Sequence, residues 1–171
     1  PYVDTYFSYG WLFIQQGGRV NKIPGGSLEF RKSIIVRDTS TFSILGNDTI
    51  RIGRDLDLVG TLTVANPDSP SVIVARNWIR GTSSVFQSGK STVHFTGTGS
   101  FSSNFYNLNF DVTSSMSSVG DVRVSHQCTI AQDVGLRGSD TLFIEDSLPQ
   151  ALTGRGKILA GTIQRGVQAG S

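Results

Sequence analysis

Cysteine is nearly missing from this sequence. Cys128 stands alone in 171 residues, so no internal disulfide can form and the fold must stand on packing. Charged residues make up only 16%, Glu occurs only at positions 29 and 145, and Ala is sparse. A chain poor in Glu and Ala is poor in cheap helix formers, and no stretch carries an amphipathic helical period. The eleven Arg are scattered and the formal net charge is +2, which leaves no basic footprint for a nucleic acid. No apolar run approaches the roughly 18 residues that a membrane helix needs, so no membrane insertion is expected. A basic-then-apolar leader is also missing, and any such leader is expected to have been removed or to lie outside this sequence. Finally, neither Asn-Gly nor Asp-Gly occurs, and these are the commonest signals of two-residue hairpins.

What the chain does have is Gly, Ser, Thr and a period of two. Leu28/Phe30, Ile34/Val36, Phe42/Ile44, Ile50/Ile52, Leu56/Leu58, Leu62/Val64 and Val72/Val74 each place two apolar residues around a polar one or another aliphatic. Val93/Phe95, Leu108/Phe110, Val122/Val124, Cys128/Ile130, Val134/Leu136 and Leu142/Ile144 continue the series. Turn formers such as Gly46-Asn47, Gly53, Gly60 and Asn66-Pro67 separate the pairs. The spacing, about six to ten residues, has room for a short strand and a corner but not for a crossover helix.

Three short strands and three corners make a coil of about 20–24 residues, and stacked coils pair their strands in parallel. The fold class expected is therefore all-β: a parallel β-helix (β-solenoid) of about six or seven coils over residues 27–171. Ser114-Ser115-Met116-Ser117-Ser118 is expected to be a polar link.

Residues 1–26 read differently. Tyr2, Tyr6, Phe7, Tyr9, Trp11 and Phe13 crowd into thirteen positions. This aromatic segment is expected either to cap the open first coil or to serve as a subunit interface, with Tyr6, Phe7, Tyr9, Trp11 and Phe13 as the contact residues. At the other end, the Gly-rich stretch around Ile158 and Ile163 runs out without a polar cap. Either a longer protein or an end that meets another copy is expected from that.

The string Asn77-Trp78, Gly81, Phe86, Gly89, Ser91-Thr92-Val93, Phe95, Gly97, Gly99, Phe105-Tyr106-Asn107-Leu108 carries a resemblance, as does the Gly-spaced run from Gly120 to Arg165. Residues 75–171 resemble the Gly/Ser/Thr-rich β-solenoid repeat regions of large secreted or surface-anchored bacterial proteins of the adhesin or filament type. The resemblance implies an adhesive, filamentous or cell-envelope role outside the cell, with no catalytic residues to carry over.

Candidate chemistry is thin. Ser88-Gly89-Lys90-Ser91-Thr92 imitates a phosphate loop, yet a strand follows it where a helix N-terminus is required, so no cofactor is expected. Asp55 and Asp57 share one strand face, roughly 7 Å apart by strand rise, as a Ca²⁺ site or a glycan-cleaving pair would need. Outward Asp residues also keep a solenoid soluble. His94 and His126 have no ligand at metal spacing in the sequence, so no metal is expected. Cys128 is expected in the core. The function expected is that of a non-enzymatic structural module of an extracellular filament, adhesin or cell-surface layer, self-associating through its ends. The alternatives are a glycan- or host-binding module using exposed aromatics with Arg76 and Arg80, and a polysaccharide-degrading β-helix enzyme.

Overall fold

A computed structural model describes residues 5–8 (backbone alone), 10–65, 67–111 and 115–166. The chain winds into a parallel β-solenoid of about seven turns. The first coil contains β1 (Thr5–Ser8), β2 (Leu12–Ile14) and β3 (Arg19–Lys22). β4 (Ser27–Phe30), β5 (Ile34–Val36) and β6 (Thr41–Ile44) form the second. β7 (Thr49–Ile52), β8 (Leu56–Leu58) and β9 (Thr61–Val64) form the third, and β10 (Ser71–Val74), β11 (Trp78–Arg80) and β12 (Val85–Gln87) the fourth. β13 (Thr92–Phe95) and β14 (Thr98–Phe101) open the fifth, which runs into the long β15 (Asn104–Phe110). Then come β16 (Ser115–Ser118), β17 (Val122–Ile130), β18 (Thr141–Ile144), β19 (Leu152–Gly154) and β20 (Thr162–Arg165).

Every strand ladder among the described residues is parallel, and each joins one coil to the next. The strands are short because each is one side of a coil, and a Gly- or Ser-bearing corner ends it. β15 and β17 run round a corner, their mutual register shifting between Phe105 and Asn107, and so join two faces of the solenoid into one sheet.

The alternation read from the sequence is the core. Of the apolar pairs from Leu28/Phe30 to Leu142/Ile144, all members are buried except Leu28, which is half-buried. Stacking puts like on like: Ile34 beside Leu56 beside Trp78, and Val72 beside Val93 beside Leu108. Each such side chain withdrawn from water contributes roughly 1.5–3 kcal/mol, which is what offsets the ordering of so many corners.

The turns are not of equal length. Thr5 lies beside Ser27, Leu28 beside Ile50 and Thr49 beside Ser71, 22 residues each time. Ser71 then meets Thr92 after 21, Thr92 meets Asn107 after only 15, and Asn107 meets Gln127 after 20. Six aromatic side chains gather where the coil contracts: Trp78, Phe86, Phe95, Phe101, Phe105 and Phe110, in ring contacts of 4.8–6.5 Å. Large rings crowd the interior there, whereas the coils before and after are filled mainly by aliphatic side chains with Phe30 and Phe42.

One segment departs from the sequence reading. Residues 115–118, expected as a polar link, form β16 alongside β14, with Met116 and Ser118 buried. Ser118 tolerates an interior position because its hydroxyl donates to Asp140 Oδ2 (2.7 Å) and accepts from the Arg137 N–H (3.1 Å).

Candidate functional site

The aromatic segment begins the rod. β1, β2 and β3 pair with β4, β5 and β6, so from Thr5 to Lys22 this segment is itself a coil of the solenoid. Among the described residues, each of these three strands has a neighbour on one side only. Trp11 and Phe13 are each 50% exposed and Ile23 is 59% exposed. Trp11 and Ile23, with Leu12, Val20, Leu28, Phe30, Phe42 and the polar Asn21 and Lys22, line a recess of about 400 Å³. Tyr6 is in register with Leu28 and Phe7 with Glu29; their side chains, and Tyr9 altogether, lie outside the described residues. The structure thus brings Trp11 and Phe13 to one exposed coil end, and adds Ile23, which the sequence did not single out.

Lys22 is the other residue missed there. Its place in β3 is opposite Ile44, which is opposite Val64, so it stands at the head of an aliphatic column. Its ammonium donates to Asp48 Oδ2 at 2.6 Å, and the Gly25 N–H donates to the same oxygen at 3.0 Å. The Lys22 hydrogen bond is the main influence holding the Asp48 carboxyl below its ordinary 3.8. A depressed carboxyl pKa contributes stability above the ordinary value and loses it as pH falls toward the folded one. Asp48→Asn is therefore expected to lower Tm at pH 7 relative to the unaltered chain, with the gap closing as pH falls below the ordinary carboxylate value in a thermal melt series. A gap that persists unchanged at the acid end excludes the ion pair as its cause.

The carboxylate pair read as a possible catalytic or Ca²⁺ site is engaged otherwise. Asp55 precedes β8 and closes a polar ladder along one corner. It contacts the Ser33 hydroxyl at 3.4 Å, and its Oδ1 accepts from the Asn77 backbone N–H (3.1 Å) and side-chain amide (2.6 Å). Asn77 Oδ1 in turn accepts from the Ser100 N–H at 2.9 Å. Asp57 pairs with Arg37 at 2.7 Å. Both carboxylates are bound to adjacent coils rather than aimed at a common point.

The histidines also find partners one coil away. His126 Nδ1 lies 3.0 Å from Asp146, twenty residues on, and its ring meets Tyr106 at 5.1 Å. Asp146 is held below the usual carboxylate range first by the Leu148 N–H and then by His126. His94 accepts from the Asn109 amide at 3.1 Å, and burial pushes its pKa down, which favours the neutral ring. No three His, Cys, Asp or Glu among the described residues form a group that could hold a metal ion. Cys128 is fully buried, its thiol pushed up to about 12 by burial, which makes it inert.

The geometry defines a β-solenoid rod whose polar groups are mostly spent on coil-to-coil ties and whose first coil carries an exposed apolar end. No protein-family model, curated protein or solved structure matches the chain.

Proposed function

We propose that this chain is a non-enzymatic structural rod, a module of an extracellular filament, adhesin or cell-surface layer, that associates with further copies through its coil ends. The observation that carries the reading is the first coil: three parallel strands, each paired on one side only among the described residues, flanked by Trp11, Phe13 and Ile23 and opening on a largely apolar recess. Parallel stacking gives the reason. Each coil presents to its neighbour the ladder groups that the previous coil accepts, so a coil from another copy can extend the same ladder. Leu159 (66% exposed) and Ile163 (38%) at the opposite end supply apolar surface to meet the recess. Such a contact joins unlike surfaces and does not close, which makes a fibre. The placement outside the cell follows from the resemblance of residues 75–171.

Sedimentation velocity over a concentration series, with negative-stain microscopy, tests this. The unaltered chain is expected to form rods longer than one molecule as concentration rises. The double variant Trp11→Ser/Phe13→Ser is expected to keep the fold and shift assembly to at least about tenfold higher concentration, since two half-exposed aromatics contribute on the order of 1.4 kcal/mol or more to such a contact. A strictly monomeric wild-type chain at every soluble concentration sinks the reading.

A further inference from the structure

Arg80 breaks a core column. In β11 it lies opposite Leu58, which lies opposite Val36, which lies opposite Ile14. Those three aliphatics are at most 3% exposed. The next coil places the half-buried Arg80 at the position where three successive coils have buried hydrocarbon, and holding a charge there is costly unless something neutralises it.

No carboxylate among the described residues does. Arg80 Nε donates to Ser84 Oγ (3.0 Å), Nη2 to the Ser84 carbonyl (2.8 Å) and Nη1 to Ser103 Oγ (3.4 Å). All three acceptors are neutral, and none of the ion pairs among the described residues includes Arg80. Lys22, another cation standing at an inward column position, has Asp48 at 2.6 Å, while Arg165, opposite Ile144, is exposed and donates to the Leu148 carbonyl at 2.7 Å. Burial lowers the Arg80 pKa, yet guanidinium stays charged at neutral pH. Ser84 and Ser103, the groups that fix it, are themselves buried, at 7% and 4% exposure. Ser84 is locked in turn by its own bond to the Gly81 carbonyl at 2.7 Å.

Three of the five guanidinium N–H groups are thus used, and two remain. A planar, immobilised, uncompensated guanidinium with donors to spare is the arrangement that recognises an oxyanion. At this corner Thr82 and Ser83 are exposed and Ser102 is half-exposed, so hydroxyl-bearing residues flank Arg80, next to the exposed side chains of Ile79 and Val85.

We propose that this corner binds an acidic saccharide, with Arg80 engaging its sulfate or carboxylate group and the hydroxyl-bearing residues around it meeting the sugar. The site is on the flank of the rod and is independent of end-to-end association.

The test is an NMR titration of the ¹⁵N-labelled full chain, following the Arg80 Nε–H signal and the Ser84 and Ser103 amides. The probes are a sulfated disaccharide, its unsulfated parent, and inorganic sulfate, each at matched ionic strength. Saturable shifts with the sulfated disaccharide, at a concentration at least about tenfold below that needed for inorganic sulfate and absent with the unsulfated parent, are expected. Arg80→Met is expected to abolish them, and Arg80→Lys, which keeps the charge but loses the fork, to weaken them about tenfold. Should Arg80→Met fail to fold, Arg80→Lys decides alone. Shifts that are absent, or unchanged in Arg80→Lys, overturn the site; a response to inorganic sulfate only, or equally to the unsulfated sugar, overturns the acidic-saccharide assignment.

Discussion

Trp78→Ala is expected to lower the free energy of unfolding by about 3–5 kcal/mol, the range for deleting a large buried aromatic. Trp78 is 1% exposed and meets Phe86, Phe95 and Phe105 at ring separations of 4.8, 6.5 and 5.4 Å. These neighbours come from two successive coils and three different strands, so the void cannot close by moving one strand. Trp78→Phe is expected to cost far less, about 1–2 kcal/mol. The indole N–H is buried without a hydrogen-bond partner, so removing it forfeits packing but no bond. Urea unfolding followed by circular dichroism measures both. The chain has two Trp, and in a Trp11→Phe background the emission of Trp78 reports the same transition from within the cluster. A cost for Trp78→Ala under about 1 kcal/mol contradicts the role given to the cluster.

Gly97→Ala is the second change with a large expected effect. A Cβ on Gly97 falls 1.9 Å from the Ala75 carbonyl oxygen and 3.0 Å from its carbon, and that backbone belongs to the coil before. The two coils must separate locally or the corner must rebuild. Destabilisation of about 3 kcal/mol is expected, at the upper end of ordinary overpacking because the obstacle is main chain. Gly138→Ala is the control: nothing lies within 4 Å of its Cβ, so a change within about 0.5 kcal/mol is expected. Equal melting temperatures for the two variants would falsify the close approach at Gly97.

Much of the architecture was legible in the residues, for a physical reason. A strand three or four residues long that buries one face must alternate, and Ile50-Arg51-Ile52 or Leu62-Thr63-Val64 cannot hide it. The absence of hairpin turns then selected stacked coils. Ser115–Ser118 escaped because one Met among serines carries almost no hydrophobic signal; Ser118 is interior only because Asp140 and Arg137 satisfy it. The polar ties escaped for another reason. In a linear reading a partner is sought within a few residues, whereas here the neighbour of Asp55 is Asn77 and that of His126 is Asp146, a full turn away. Arg80 became conspicuous only once the register placed it opposite Leu58. Of the five aromatic contact residues expected, Trp11 and Phe13 are described as exposed, which the sequence alone had no means of distinguishing from burial.

The 15-residue turn between Thr92 and Asn107 sits among turns of 17 to 24 residues, and Val93 and Phe95 still pair with Leu108 and Phe110. Corner length and column alignment are therefore separable: chain can be gained or lost at a bend without moving the interior residues off their lines. Insertions at exposed bends such as Thr82-Ser83 are accordingly the changes the scaffold absorbs most easily, and a recognition loop grafted there would inherit a rigid base.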